Sequence, residues 1–125
     1  MIVELPWPAA LLSSNARPHH MAKARAVKTA RTLAWWRCRA ERIPALPAQT
    51  LPVTITFHPP DNRRRDRHNC QDQVKAYIDG IAEAVGIDDF HWRIDWAWGD
   101  NAPSGKVVFT LRPIAVNVPF RGTIG

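Results

Sequence analysis

The sequence predicts a single α+β domain built on one mixed sheet of about four strands with two main helices, in the order β-α-β-α-β-β. Its length of 125 residues is typical of one domain with its own core. Its hydrophobic fraction of 46% is too high for a disordered chain, so a packed core is expected. Short alternating stretches, typical of half-buried strands, are separated by two longer stretches of helical composition or spacing.

The strands are recognised by alternation and by the residues that end them. Apolar residues at 53, 55 and 57 alternate with polar ones, and two prolines follow at 59 and 60. Three tryptophans at 92, 96 and 98 share one face of another strand, which favours core packing over base stacking. Segment 99–105 then joins the last two strands, and its spacing predicts an antiparallel hairpin. The predicted strands are Ile2–Trp7, Leu51–His58, Trp92–Trp98 and Lys106–Arg112.

Two helices are predicted between these strands. The first runs from His20 to Ile43, a stretch rich in Ala, Lys and Arg that lacks Gly and Pro. The second runs from Asn69 to Val85, where apolar residues recur at three- and four-residue spacing. Asn69 is its predicted N-cap, and Gly86 follows where helices commonly end on glycine.

The domain is expected to span residues 1–113, and residues 114–125 are a tail without clear periodicity or assigned role. No apolar run approaches the ~20 residues that cross a bilayer, and the first residues lack a signal-peptide pattern. Cys38 and Cys70 are too few for a disulfide framework and are predicted to be buried, inert thiols. A cytoplasmic location is therefore expected.

The net charge of +6 indicates a basic surface that attracts polyanions such as nucleic acids. Charge alone leaves a DNA-binding protein and a basic protein without that role equally open. The placement favours DNA, because the candidate DNA-binding residues lie together in one segment beside acidic residues. These candidates are Arg63, Arg64, Arg65 and Arg67.

Potential metal ligands flank the second predicted helix. Asp66 and His68 precede it on an extended segment, whereas Asp88 and Asp89 follow its far end. Carboxylates hold the hard divalent cations that support phosphodiester hydrolysis. Asp88 and Asp89 can lie close to Asp66 only if the strand that follows them packs beside the arginine-rich loop. The ammonium of Lys75, inside the helix, could stabilise the negative charge that develops during phosphodiester hydrolysis.

Ordinary structural roles remain open for each of these residues. A loop aspartate is often a turn former or an N-cap, and an acidic pair after a helix is common turn chemistry. Lys75 and Asp79 are four residues apart, which is the spacing of a surface ion pair on a helix.

The combination of motifs resembles the signature of RusA-type Holliday junction resolvases, in particular a phage-type subgroup. The motifs are a run of arginines leading into Asp-x-(Asp or His)-Asn, a helix with Lys-Ala-x-x-Asp, and an acidic pair. The segment Leu5-Pro-Trp-Pro8, followed by Asn15, is similar to the family's first strand and Pro-rich first loop. The match spans residues 2–112.

The resemblance implies a homodimeric, Mg²⁺- or Mn²⁺-dependent endonuclease that acts on four-way DNA junctions in recombination and repair. By position, Asp66 matches the first catalytic aspartate and Lys75 the catalytic lysine. Asp89 matches the acidic residue after the helix, with Asp88 beside it. The implied metal ligands are Asp66, His68, Asp88 and Asp89. Asn15 joins the four arginines as an expected DNA contact.

Two features depart from the family pattern. His68 stands where the family has a second aspartate, and imidazole favours Mn²⁺ over Mg²⁺. Asn69 and Lys75 are six residues apart instead of three, which turns Lys75 by ~60° around the helix. A flap or branch nuclease of the same fold, and a DNA-binding protein without catalysis, are the alternative functions.

Overall fold

The structure, a computed structural model, describes residues 1–13 and 20–114. These residues form one four-stranded mixed sheet and three helices, which confirms the predicted α+β class. The elements are β1 (Ile2–Pro6), α1 (His20–Ala40), β2 (Leu51–His58), α2 (Arg67–Gln73), α3 (Lys75–Val85), β3 (Trp92–Trp98) and β4 (Lys106–Leu111). Short 3₁₀ turns lie at Ala10–Leu12 and Asp89–His91.

The strand order is β1-β4-β2-β3, so the predicted β3–β4 hairpin is wrong. β2 lies between these strands, antiparallel to β4 and parallel to β3. The connecting segment 99–105 is long enough to pass the end of β2, and it forms backbone hydrogen bonds with residues at that end. The Gly99 N–H donates to the Phe57 carbonyl at 2.9 Å, and the Ala102 N–H donates to the Pro59 carbonyl at 3.0 Å.

The helices cover one face of the sheet, where Ile55, Phe57 and Phe109 are fully buried. Helices α1 and α3 are in close contact at Gly80, where an added Cβ would clash with the Arg31 carbonyl oxygen. The buried face of α1 consists of Ala30, Ala34 and Cys38. Both cysteines are buried and unpaired, as predicted.

The second predicted helix is divided at Val74 and begins earlier than expected. Val74 has φ −98° and ψ 4°, and its N–H donates to the Gln71 carbonyl three residues back before α3 begins. The N-cap is Asp66, not Asn69, which lies inside α2. Gly86 has φ 75° and ends α3, so its predicted role is confirmed.

The β2–α2–α3–β3 crossover decides where the candidate residues lie. Because β2 and β3 are parallel and in register, the end of β2 and the start of β3 lie at opposite ends of the sheet along the strand direction. Asp66 follows the end of β2, and Asp89 precedes the start of β3. In the residues described, we find no helix of the length and apolarity that crossing a membrane requires.

Candidate functional site

The arginine loop (residues 61–67) is organised around Asp61. Its carboxylate accepts the Arg63 N–H at 2.9 Å and the Arg65 guanidinium at 2.8 Å. These two bonds hold the pKa of Asp61 below its usual range. The ionised form of Asp61 is therefore the form that these two hydrogen bonds within the loop favour.

The four arginines of this loop have different surroundings. Arg65 points inward: its side chain is 16% exposed, it also donates to the Asp61 and Arg63 carbonyls, and it lies 5.3 Å above the Trp7 ring. The side chain of Arg63 is 78% exposed. Arg64 and Arg67 are exposed as well, and Arg67 lies 5.1 Å from the Trp98 ring. The geometry gives Arg65 a structural role and leaves the other three facing solvent.

Asp66 and His68 are both exposed, but only Asp66 is extended; His68 lies in the first turn of α2, so the prediction that both lie on an extended segment is wrong for His68. One oxygen of Asp66 accepts the Asn69 N–H at 3.2 Å, which caps the helix. The Asn69 side chain in turn accepts the Ser13 hydroxyl at 2.6 Å, which ties the first loop to α2. Asn15, the remaining predicted DNA contact, lies outside the described residues.

Lys75 lies between two carboxylates. Its ammonium is 2.7 Å from Asp89 Oδ2 and 3.0 Å from Asp79 Oδ1. Partial burial acts to lower the pKa of Lys75, but the hydrogen bonds to Asp89 and Asp79 outweigh it, and the pKa is raised. The hydrogen bond between Lys75 and Asp89 joins two residues that are 14 positions apart in the sequence.

Asp89 belongs to a larger cluster, the acidic end of the crossover (Asp79, Glu83, Asp88 and Asp89). These residues line a surface cavity of about 340 Å³ together with Arg31 and Ala82. Arg31 pairs with Glu83 at 3.8 Å, and Asp88 accepts the Phe90 N–H at 2.9 Å. Sequence reasoning did not include Asp79 or Glu83 in the site. The repeated four-residue spacing of Lys75, Asp79 and Glu83 was the available signal.

The predicted ligands therefore form two groups in one chain. Arg67, next to Asp66, contacts Trp98 at the last residue of β3, whereas Asp89 lies just before the first. Seven extended residues span about 20 Å, far more than the ~5 Å between two oxygens on one divalent cation. Among residues 1–13 and 20–114, no three His, Cys, Asp or Glu side chains are arranged to hold a metal ion. A centre made from Asp66, His68, Asp88 and Asp89 of one chain does not fit this geometry.

Comparison with known proteins identifies a relative but no activity. No family model matches the chain. An uncharacterized protein of Xylella fastidiosa (strain Temecula1) is 42% identical over 88 residues, or 68% of this chain. The aligned region covers 58% of that relative, so the chain spans little more than half of its length.

Proposed function

We propose that this chain is a structure-selective, divalent-metal-dependent DNA endonuclease that resolves Holliday junctions by paired nicks, as its resemblance to RusA-type resolvases implies. The observation that carries the proposal is the exposed cationic surface formed by Arg63, Arg64 and Arg67 directly beside Asp66. Arginine contacts to phosphates supply affinity that does not depend on base sequence. A basic surface next to a carboxylate is suited to hold a DNA backbone near an acidic site.

The acidic end of the crossover supports the same function. Its carboxylates would repel phosphate, so their placement on a chain of charge +6 is best explained by cations that they bind. Lys75 is one such cation, and its raised pKa keeps it charged beside Asp89. A fixed ammonium at this position can stabilise negative charge that develops on a phosphate. Mg²⁺ or Mn²⁺ is the expected cofactor, and a homodimer is the expected assembly.

A DNA-binding protein without catalysis is the second candidate, and one observation favours it. Asp66 is next to Arg67, which contacts the last residue of β3, whereas Asp88 and Asp89 precede the first, so one chain alone does not bring the predicted ligands together. Cleavage distinguishes the two candidates, because both predict that the arginine loop binds DNA.

The test uses labelled four-way junctions, flaps and linear duplexes of matched sequence, each with Mg²⁺, Mn²⁺ or EDTA. The proposal predicts metal-dependent nicking of the four-way junction and little cleavage of linear DNA. Asp66→Asn is the matched control, because asparagine caps helices as well as aspartate and the fold is kept. Preferred cleavage of flaps would support a related branch nuclease. Binding without cleavage under every metal condition would support the non-catalytic protein.

A further inference from the structure

The outer face of α1 is positively charged and has no part in the proposed nuclease site. It is the side of the helix opposite Ala30, Ala34 and Cys38, the residues that α1 buries. Positions at three- and four-residue spacing form this face, and all of them are exposed: Arg25, Lys28, Thr32, Trp36 and Arg39. The sequence of α1 contains no Asp or Glu. The face extends for about 21 Å between its outermost cations, at about 1.5 Å per residue.

The three cations of this face are available to bind an anion. Among the described residues, Arg25, Lys28 and Arg39 form no ion pair with a carboxylate. Glu83 lines a cavity of about 300 Å³ together with Lys28, but it pairs with Arg31, at 3.8 Å. Like charges on neighbouring turns of a helix repel each other, so an anionic ligand would stabilise this face.

An exposed tryptophan lies among these cations. Trp36 is 59% exposed, and its ring is perpendicular to that of Trp35, with centroids 4.9 Å apart. The guanidinium of Arg39 lies 5.1 Å from the centre of the Trp35 ring, in a cation–π contact. Trp35 also lines the cavity beside Lys28 and Thr32. Aromatic rings and cations therefore alternate along one surface.

Nucleic acid fits this chemistry better than an acidic protein does. Protein–protein interfaces have an apolar core, whereas nucleic-acid interfaces are more polar and much more positively charged. The exposed large hydrophobic side chains of α1 are Met21 and Trp36. They lie near opposite ends of the helix, so they do not form one apolar core.

A single strand makes use of both features of this face, whereas a duplex makes use of one. Phosphates of either form bind cations. The bases of a duplex are stacked on one another, so they offer no ring face to an indole on a protein surface. Unpaired bases stack on exposed aromatic side chains with little dependence on sequence.

We propose that the outer face of α1 binds single-stranded DNA, with a base stacked on Trp36 and flanking phosphates bound by Arg25, Lys28 and Arg39. This is a second nucleic-acid surface, formed by a different element from the arginine loop. The choice of DNA over RNA rests on the proposed function, which already brings this chain to DNA. The choice of a single strand rests on Trp36 and does not depend on cleavage.

Binding of a labelled oligothymidylate of about 12 nucleotides tests the stacking contact, in EDTA so that no metal-dependent cleavage takes place. Trp36→Ala is expected to raise the Kd by about tenfold, the effect of one lost stacking contact. The Kd for a duplex of equal length changes by less than about twofold. Trp36→Phe keeps a stacking ring and retains most of the affinity. Phe90→Ala is the matched control, because Phe90 is 86% exposed outside α1 and its loss leaves both constants unchanged.

The salt dependence of the same binding tests the cations. Each phosphate contact on a single strand contributes about 0.7 to the slope of log Kd against log salt. Lys28→Ala combined with Arg39→Ala is therefore expected to lower the slope for oligothymidylate by about 1.4. Trp36→Ala leaves the slope unchanged, because it removes no charge. An unchanged slope in the double variant would overturn the phosphate contacts.

The remaining outcomes each contradict a different part of the proposal. Equal losses on oligothymidylate and duplex in Trp36→Ala would show that the face binds duplex DNA, and no loss on either would remove the site. Tenfold tighter binding of oligouridylate would overturn the choice of DNA. Binding of polyglutamate that depends on Trp36, without binding of oligothymidylate, would make this a surface for an acidic protein. None of these results depends on a metal or on nicking, so failure of this site is distinguishable from failure of the proposed nuclease.

Discussion

Arg64 and Arg65 are adjacent in sequence, yet the structure predicts that their removal affects different properties. Arg65 donates three hydrogen bonds within the arginine loop and its side chain is 16% exposed, whereas Arg64 faces solvent. Hydrogen bonds that involve charged groups contribute roughly 1.5–3 kcal/mol each, but bonds of one side chain are not additive and these are partly solvated. We therefore expect Arg65→Ala to lower the free energy of unfolding by about 2 kcal/mol.

Arg64→Ala is the matched control, with an expected change within about 0.5 kcal/mol. For a domain of this size, a loss of about 2 kcal/mol lowers Tm by roughly 6–10 °C. Urea unfolding at equal m-values measures the difference directly. For DNA binding, we expect the larger effect from Arg64→Ala. Loss of one phosphate contact reduces the slope of log Kd against log salt by about one unit. Equal stabilities for the two variants, or a lowered slope for Arg65→Ala alone, would refute this description of the loop.

Three further predictions follow from the helices and the candidate ligands. Gly80→Ala destabilises the fold by about 1–3 kcal/mol in urea unfolding, because the clashing atom is the Arg31 backbone carbonyl; unchanged stability would contradict the close helix contact. If His68 ligates the metal, His68→Asp shifts cleavage activity from Mn²⁺ toward Mg²⁺, and an unchanged activity ratio would place His68 outside the site. Burial raises the pKa of Cys38 to about 11, so the folded state keeps a proton that the unfolded chain releases near pH 8.5. The free energy of unfolding therefore decreases as pH rises above about 8.5, and this decrease is smaller in Cys38→Ala. Equal pH dependence of the free energy of unfolding in both chains would show that Cys38 is not the cause.

The sequence predicted the elements of the fold better than their arrangement. Leu51–His58 and Trp92–Trp98 were predicted with the bounds that the structure has, because alternation and proline are local signals. The insertion of β2 between β3 and β4 depends on which strand edges meet, and no local pattern encodes that. The hairpin prediction was wrong because strands close in sequence are more often neighbours in a sheet, and here they are not.

The candidate site shows the same difference between local and distant relations. The ion pair between Lys75 and Asp79, four residues apart on one helix, could be predicted from spacing, whereas the contact between Lys75 and Asp89 could not. The distance between Asp66 and Asp89 follows from the parallel pairing of β2 and β3, which a single sequence does not reveal. The N-cap was misplaced by three residues, because both Asp66 and Asn69 are good capping residues and only the backbone decides between them.

Cleavage of a four-way junction tests the central claim most directly. Wild-type chain and Asp66→Asn are incubated with an end-labelled junction and excess Mg²⁺ or Mn²⁺, and the nicked strands are mapped at nucleotide resolution. We expect two symmetric nicks in strands of like polarity, from the wild-type chain alone and abolished by EDTA. Junction binding that is equal for both chains, without metal-dependent nicks from either, would contradict it.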